Sequence, residues 1–216
     1  RGLGDVYKRQ VKVNKGVQVE FDNDMNDPKV YKLWQDGNSV GIFQFESQGM
    51  TNFMKELKPD CLEDIIAGVS LYRPGPMDQI PRYIANKKDP EHAVYTHPAL
   101  KPILKVTYGC MVYQEQVMQI VRDLAGYSLG RADLVRRAMG KKKLDVMARE
   151  REIFINGQLD EDGNIVVPGC VRNGIDAESA NRIFDEMAEF AKYAFNKSHA
   201  AAYAVVSYRT AYLKAY

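Results

Sequence analysis

The sequence is poor in the residues that build metal knuckles, disulfide frameworks and histidine-based active sites. It has three cysteines, three histidines and one tryptophan in 216 residues. Cys61, Cys110 and Cys170 stand too far apart for a CxxC knuckle, and an odd number does not make a disulfide framework. They read as buried, reduced thiols of a cytoplasmic protein. His92 and His97 have no partner histidines at metal-binding spacing, which disfavours a metal-dependent phosphohydrolase. Trp34, being solitary, reads as core. No apolar run reaches the roughly 18–20 residues of a membrane span, and no signal peptide is visible.

What is present is ordinary globular composition, 45% hydrophobic and 27% charged, with charge segregated along the chain. Thirty Lys and Arg nearly balance 28 Asp and Glu, for a net charge of +2. Locally the balance breaks: residues 131–151 carry eight basic against three acidic side chains, and residues 160–190 carry eight acidic against two basic. A positive segment followed by an acidic, solvated one suits a protein that handles an anion on one side.

The positive segment lies within Thr107–Lys143, which reads as two helices joined by a short turn. Val117, Met118, Ile120, Val121 and Leu124 keep to one side at a period near 3.6. Gly126 supplies a stop and Ser128 a cap for the next start. Ala132, Val135 and Met139 share the buried stripe of the second helix, with Arg136 on its border and Arg137 and Lys141 pointing away. Arg136, Arg137, Lys141, Lys142 and Lys143 put five cations within eight residues, a surface for phosphate. Asp133, four residues before Arg137, is placed to form a helical ion pair with it.

Elsewhere the chain also reads as mainly helical. Val11–Phe21 alternates apolar and polar residues, a short-strand pattern or an unstructured start. Asp27-Pro28 opens a helix stopped by Gly37. Helical spacing follows from Glu46 to Leu57, ended by Pro59, and again over Leu62–Leu71. Arg73-Pro74-Gly75-Pro76 is a rigid turn, on which Arg73 would lose little entropy in binding phosphate. Helices follow over Pro81–Lys88, from His97-Pro98 to Val106, and over Leu144–Gln158. Gly157–Gly169 reads as a hairpin-like excursion; its DEDGN lacks the spacing and closing Glu of a calcium loop. Asp176–Tyr193 is an acidic amphipathic helix. The last helix starts near Ser198, is apolar on most sides and reads as buried between partners. It reaches Tyr216 without a cap, glycine or polar tail, so the chain reads as truncated there.

Several words carry more information than charge does. LYRPGPM at Leu71–Met77, TYGCMVYQEQVM at Thr107–Met118, GRADLVRRAMGKK at Gly130–Lys142 and FNKSHAAAYAVVSYRTAYLKAY at Phe195–Tyr216 resemble the bacterial replicative DNA polymerase III alpha subunit, family C. GIFQFESQGM at Gly41–Met50 looks like the same family. The words occur in the family's order from about Asp24 to Tyr216. RGLGDVYKRQ, residues 1–10, does not match and reads as a non-native leader. Residues 11–26 are then the end of the palm-to-fingers connection, and 27–216 a fingers domain.

The resemblance implies a template-directed DNA polymerase whose fingers hold the incoming deoxynucleoside triphosphate and the primer–template. Closure of such a domain brings positive charge to a polyphosphate whose charge redistributes in the transition state. It further implies that Arg73, Arg136, Arg137, Lys141 and Lys142 bind phosphate. Asn196, Lys197, Ser198 and His199 join them at a helix N-terminus, unless Asn196 or Ser198 merely caps and His199 packs on Tyr203. Tyr113, Gln114 and Gln116 position a base or a loop. Two-metal chemistry needs carboxylates around ions about 4 Å apart. The sequence offers no such set, and Asp160, Glu161 and Asp162 lie in a turn. By the resemblance Mg²⁺ and the catalytic aspartates belong to a palm outside this segment, so the fragment alone is expected to be inactive. Sliding clamp and other replicase subunits would engage other parts of the parent. The rival reading is a stand-alone helical nucleic-acid-binding module without catalysis.

Overall fold

The computed structural model describes residues 3–21, 24–141, 144–191 and 193–216. The chain divides into two compact units, one made of residues 1–72 and 197–216 and the other of residues 73–196. Among the described residues the architecture is mainly α, with one small hairpin.

The first unit begins with α1 (Leu3–Lys15), α2 (Pro28–Gln35), α3 (Gln48–Leu57) and α4 (Leu62–Leu71). The Asp27 side chain accepts from Lys29 N and Pro28 takes the first helical position, where its missing N–H costs nothing. Ser47 caps α3 by accepting from Met50 N, and Lys58 in a left-handed conformation ends it before Pro59. The alternation at Val11–Phe21 does not make a strand. Residues 11–15 continue α1, and Gly16, with φ of 67°, ends it. Val11 and Val13, two residues apart, share a face only in a strand and fall on opposite sides of the helix; the neighbouring lysines, good helix formers, decide for the helix.

The second unit contains α5 (Ile80–Lys88), α6 (Lys101–Leu104), α7 (Gln114–Ala125), α8 (Leu129–Gly140) and α9 (Leu144–Asn156). Strands β1 (Gln158–Leu159) and β2 (Ile165–Val167) pair antiparallel, followed by α10 (Gly169–Arg172) and α11 (Ala177–Ala191). Its core is one cluster running from Leu100 to Ala191, built around Val117, Ile120, Val121, Phe154, Ile183 and Phe184. Gly126 closes α7 with φ of 77°, and a Cβ there would lie 2.7 Å from Pro168 Cδ. Both the conformation and the closeness require glycine.

The chain then returns to the first unit as α12 (Lys197–Ala215), which packs on α4 and α2. Its buried stripe is Ala200, Ala204, Ser207, Tyr208 and Ala211. Side-chain links hold it: Ser207 Oγ donates to Phe43 O at 2.9 Å, and Tyr208 Oη accepts from Asp27 N at 2.9 Å. The expectation of a helix buried on most sides is corrected here. Ala202 and Val206 are exposed, and the buried stripe consists of small residues with Tyr208. A helix of alanines approaches its neighbours closely on one stripe and needs no second wall.

Candidate functional site

The loop before α7 is built on one glutamine. Gln116 is buried, its Oε1 accepts from Val112 N at 2.8 Å and from Tyr113 N at 3.0 Å, and its Nε2 donates to Thr107 Oγ1 at 2.8 Å. The bond from the third helical residue back to the cap is half of a capping box. Of the two roles open to it, base contact or loop positioning, this geometry is that of a loop positioner. Tyr113 is 1% exposed, so its ring packs inside and offers no face for a base. Gln114 differs. Its backbone N donates to Phe195 O at 2.9 Å, its Nε2 donates to Ala194 O at 3.0 Å, and its Oε1 accepts from Arg136 Nη1 at 2.9 Å.

That last bond brings α7 to the basic end of α8. Asp133 Oδ1 accepts from Arg136 Nη2 at 2.7 Å and Nε at 3.1 Å, while Asp133 Oδ2 meets Arg137 Nε at 2.7 Å. The Arg136 hydrogen bonds, and the nearby charge of both arginines, hold the Asp133 carboxyl below the usual carboxylate range. Arg136 is only 23% exposed and lies inward; Arg137 is 63% exposed and reaches outward. Together with Gln114, Gly140, Lys141, Ala191 and Ala194 they surround a hollow of about 180 Å³. No carboxylate is among the described residues that line it. Lys142 lies outside the described residues.

A roomier cavity of about 350 Å³ occupies another part of the same unit, lined by Asp78, Gln79, Arg82, Glu186 and Glu189 among others. Its one arginine donates to Val94 O at 3.2 Å and Gly109 O at 3.5 Å, so three carboxylates dominate its charge. Coulomb repulsion makes it the wrong place for a phosphate, whatever its size. The smaller, cationic hollow is the candidate.

Arg73 does not line that hollow. It donates to Tyr193 O at 3.2 Å, lies over the Phe195 ring at 4.6 Å, and is partly desolvated, which lowers its guanidinium pKa from the ordinary value. Asn196 Nδ2 donates to Glu115 Oε1 at 2.9 Å. Residues 193–196 are therefore tied down by Arg73, Gln114 and Glu115, all in the second unit. Lys197, Ser198 and His199 belong to the first unit. The Lys197 ammonium is paired with Glu63 Oε2 at 3.0 Å, and His199 rests on Tyr203 with ring centroids 4.4 Å apart. Within the second unit Arg136, Arg137, Lys141 and Gln114 come together, while Arg73 and Asn196 are bonded to Tyr193 and Glu115.

Arg131 shares the basic run with Arg136 and Arg137 but has a structural task. It bonds Glu150 at 3.1 Å and Gln158 at 2.6 Å, and lies against the Tyr127 ring, fastening α8 to α9. Its partners lie 19 and 27 residues away, so spacing alone had no signal for it.

One group among the described residues brings three possible metal ligands together, Asp60, Cys61 and Asp64. Asp64 Oδ2 already accepts from Asp60 N at 3.1 Å and from the Cys61 thiol at 3.4 Å. Burial, reinforced by Asp64, raises that thiol to about 11. A protonated thiol is a poor donor for Mg²⁺, which prefers oxygen, and the group does not fit that ion. Asp160 is likewise engaged, capping its own turn through Asp162 N at 3.0 Å and Asn164 N at 2.8 Å. No helix of the described residues is long and apolar enough to cross a membrane.

Comparison with known proteins sets this arrangement in context. Residues 5–162 match the family described as the bacterial DNA polymerase III alpha subunit finger domain. The chain belongs to that family. The protein named DNA polymerase III subunit alpha from Thermus aquaticus is 50% identical over 218 residues, covering 98% of this chain and 17% of that protein. Proteins of the same name from Chlamydia muridarum and Xylella fastidiosa (strain 9a5c) are 52% and 53% identical, each over 88% of this chain. The chain spans 14% and 15% of those two relatives, so it corresponds to a modest part of a polymerase III alpha subunit. Within the finger-domain match lie Arg73, Gln114, Arg136, Arg137 and Lys141; Asn196–His199 lie beyond it.

Proposed function

We propose that this chain serves as the fingers of a replicative, DNA-directed DNA polymerase. In it, Arg136, Arg137 and Lys141 hold phosphate of the incoming deoxynucleoside triphosphate or of the primer–template. The observation that carries this reading is the cationic hollow on α8, with no carboxylate among its described lining residues and one arginine preset by Gln114. Guanidinium groups held in place before the ligand arrives stabilise developing phosphate charge without a further reorganisation cost. The outward Arg137 and Lys141 suit a backbone phosphate, and the inward Arg136 suits a triphosphate. Arg73, on its stiff turn, is a further candidate for phosphate, as are Lys142, Asn196, Lys197, Ser198 and His199. Mg²⁺ and the catalytic carboxylates belong, on this reading, to a palm supplied by the rest of the parent enzyme. Sliding clamp and other replicase subunits would dock on the rest of the parent, and the site of action is the cytoplasm.

The test is the Arg136→Ala/Arg137→Ala change in the full-length subunit, with single-nucleotide incorporation followed against deoxynucleotide concentration. We expect incorporation to fall about 10²-fold or more, the scale of losing preorganised charge at a phosphoryl centre. Primer–template binding is measured alongside. If it stays intact, the arginines act on the nucleotide; a lost affinity with a salt slope smaller by about one per phosphate contact makes them backbone clamps. Unchanged incorporation and unchanged DNA affinity would return the cluster to solvent and leave the rival reading, a binding module without catalysis.

A further inference from the structure

Asp133 is the one carboxylate bonded to both arginines of the hollow among the described pairs, and it divides its two oxygens between them. An ordinary helical ion pair links one acid to one base. Here the acid sits at i relative to bases at i+3 and i+4, and the two guanidinium groups leave it in different directions. Arg136 is turned inward, where Gln114 Oε1 receives its Nη1. Gln114 is in turn fixed by its bond to Ala194 O. Arg137 is left 63% exposed, with its Nε 2.7 Å from Asp133 Oδ2. Without the carboxylate, adjacent Arg136 and Arg137 beside Lys141 would repel one another and lose their fixed directions.

We propose that Asp133 is the positioning residue of this site: it sets Arg136 and Arg137 in their two orientations and, as a built-in counter-charge, lowers the hollow's attraction for misplaced phosphate. The inference rests on the reading that the arginines bind phosphate in catalysis. It assigns Asp133 no contact with substrate. Its two effects have opposite signs in experiment. Loss of orientation lowers the rate at saturating nucleotide, because a guanidinium misplaced by about 1 Å costs on the order of 10²-fold. Loss of the counter-charge leaves affinity for polyanions unchanged or raises it. Damage to the fold would lower both.

Asp133→Asn, Asp133→Glu and the arginine double change are compared in the full-length subunit, with primer–template affinity measured across a salt series. Asp133→Asn is expected to lower incorporation at saturating nucleotide by about 10-fold to 10²-fold while primer–template affinity holds or rises. Asp133→Glu, which keeps the charge, should recover part of the rate. In the Arg136→Ala/Arg137→Ala background Asp133→Asn should have no further effect on the rate, since a positioning residue acts only through the groups it positions. If the double change slows incorporation but Asp133→Asn does not, this inference falls and the proposed function stands. A parallel loss of rate and DNA affinity, persisting in the double-alanine background, makes Asp133 a structural helix residue and also overturns it. If the double change leaves incorporation intact, this inference falls; if it leaves primer–template affinity intact as well, the proposed function falls with it.

Discussion

Gln116 shows how much a single buried side chain can organise. Two consecutive backbone donors, Val112 N and Tyr113 N, share its one oxygen. Gln116→Ala leaves both without that acceptor in an enclosed place, at a cost of about 2–4 kcal/mol. Urea unfolding of the variant, at unchanged m-value, should show that loss; a change below about 0.5 kcal/mol would mean water reaches these donors. The cysteines give a pH prediction. Burial raises the thiols of Cys110 to about 11 and Cys170 to about 12, and burial beside Asp64 raises Cys61 to about 11. Thiolate is the reactive form, so in the native protein a disulfide reagent at pH 8 should label all three slowly, half-buried Cys61 first. In denaturant all three should react at once. The sign for stability follows: the unfolded chain loses these protons near pH 8.5–9 and the folded chain does not. Stability therefore declines as pH rises above about 9, and is unaffected by the thiols below it.

At the scale of elements, α12 and α8 separate what local sequence encodes from what it does not. Three of the five residues in the buried stripe of α12 are alanines, and the helix packs against α4 and α2. Ala204→Leu is expected to destabilise by about 1–3 kcal/mol through overpacking, whereas Ala202→Leu on the exposed side should stay within about 0.5 kcal/mol. Melting curves of the two variants decide it; equal effects would mean that α12 has no preferred face. Periodicity could not choose that face, because alanine, valine and tyrosine surround the whole helix and give no contrast. Where contrast exists the elements are legible: α4 and α7, the Ser128 cap and the Gly126 stop all follow from local chemistry. The end of α1 is not legible, because the two-residue spacing of Val11 and Val13 gives a strand pattern that the helix overrides. The candidate site was legible in part. The pairing of Asp133 with Arg137 follows from spacing, but Gln114 with Arg136 and Lys197 with Glu63 depend on chain reversals 22 and 134 residues long. No local pattern records those.

Across the whole molecule, the two units differ in how the chain builds them, and this has a measurable consequence. Residues 73–196 are continuous in sequence and contain all of the core cluster from Leu100 to Ala191. The other unit needs α12, which the chain supplies only after residue 196. Ser207 Oγ to Phe43 O, Tyr208 Oη from Asp27 N, and Lys197 to Glu63 all join α12 to residues 1–72. Residues 73–196 expressed alone should therefore unfold in one cooperative transition with their helices retained, since the core cluster from Leu100 to Ala191 lies wholly within them. Residues 1–72 alone expose the faces of α2 and α4 that α12 covers, and should lack a cooperative transition until a peptide of residues 197–216 is added. Far-UV circular dichroism with urea titration distinguishes the cases. If residues 73–196 melt without cooperativity, their core is not self-sufficient. If residues 1–72 fold unaided, α12 is an accessory to that unit rather than part of its core.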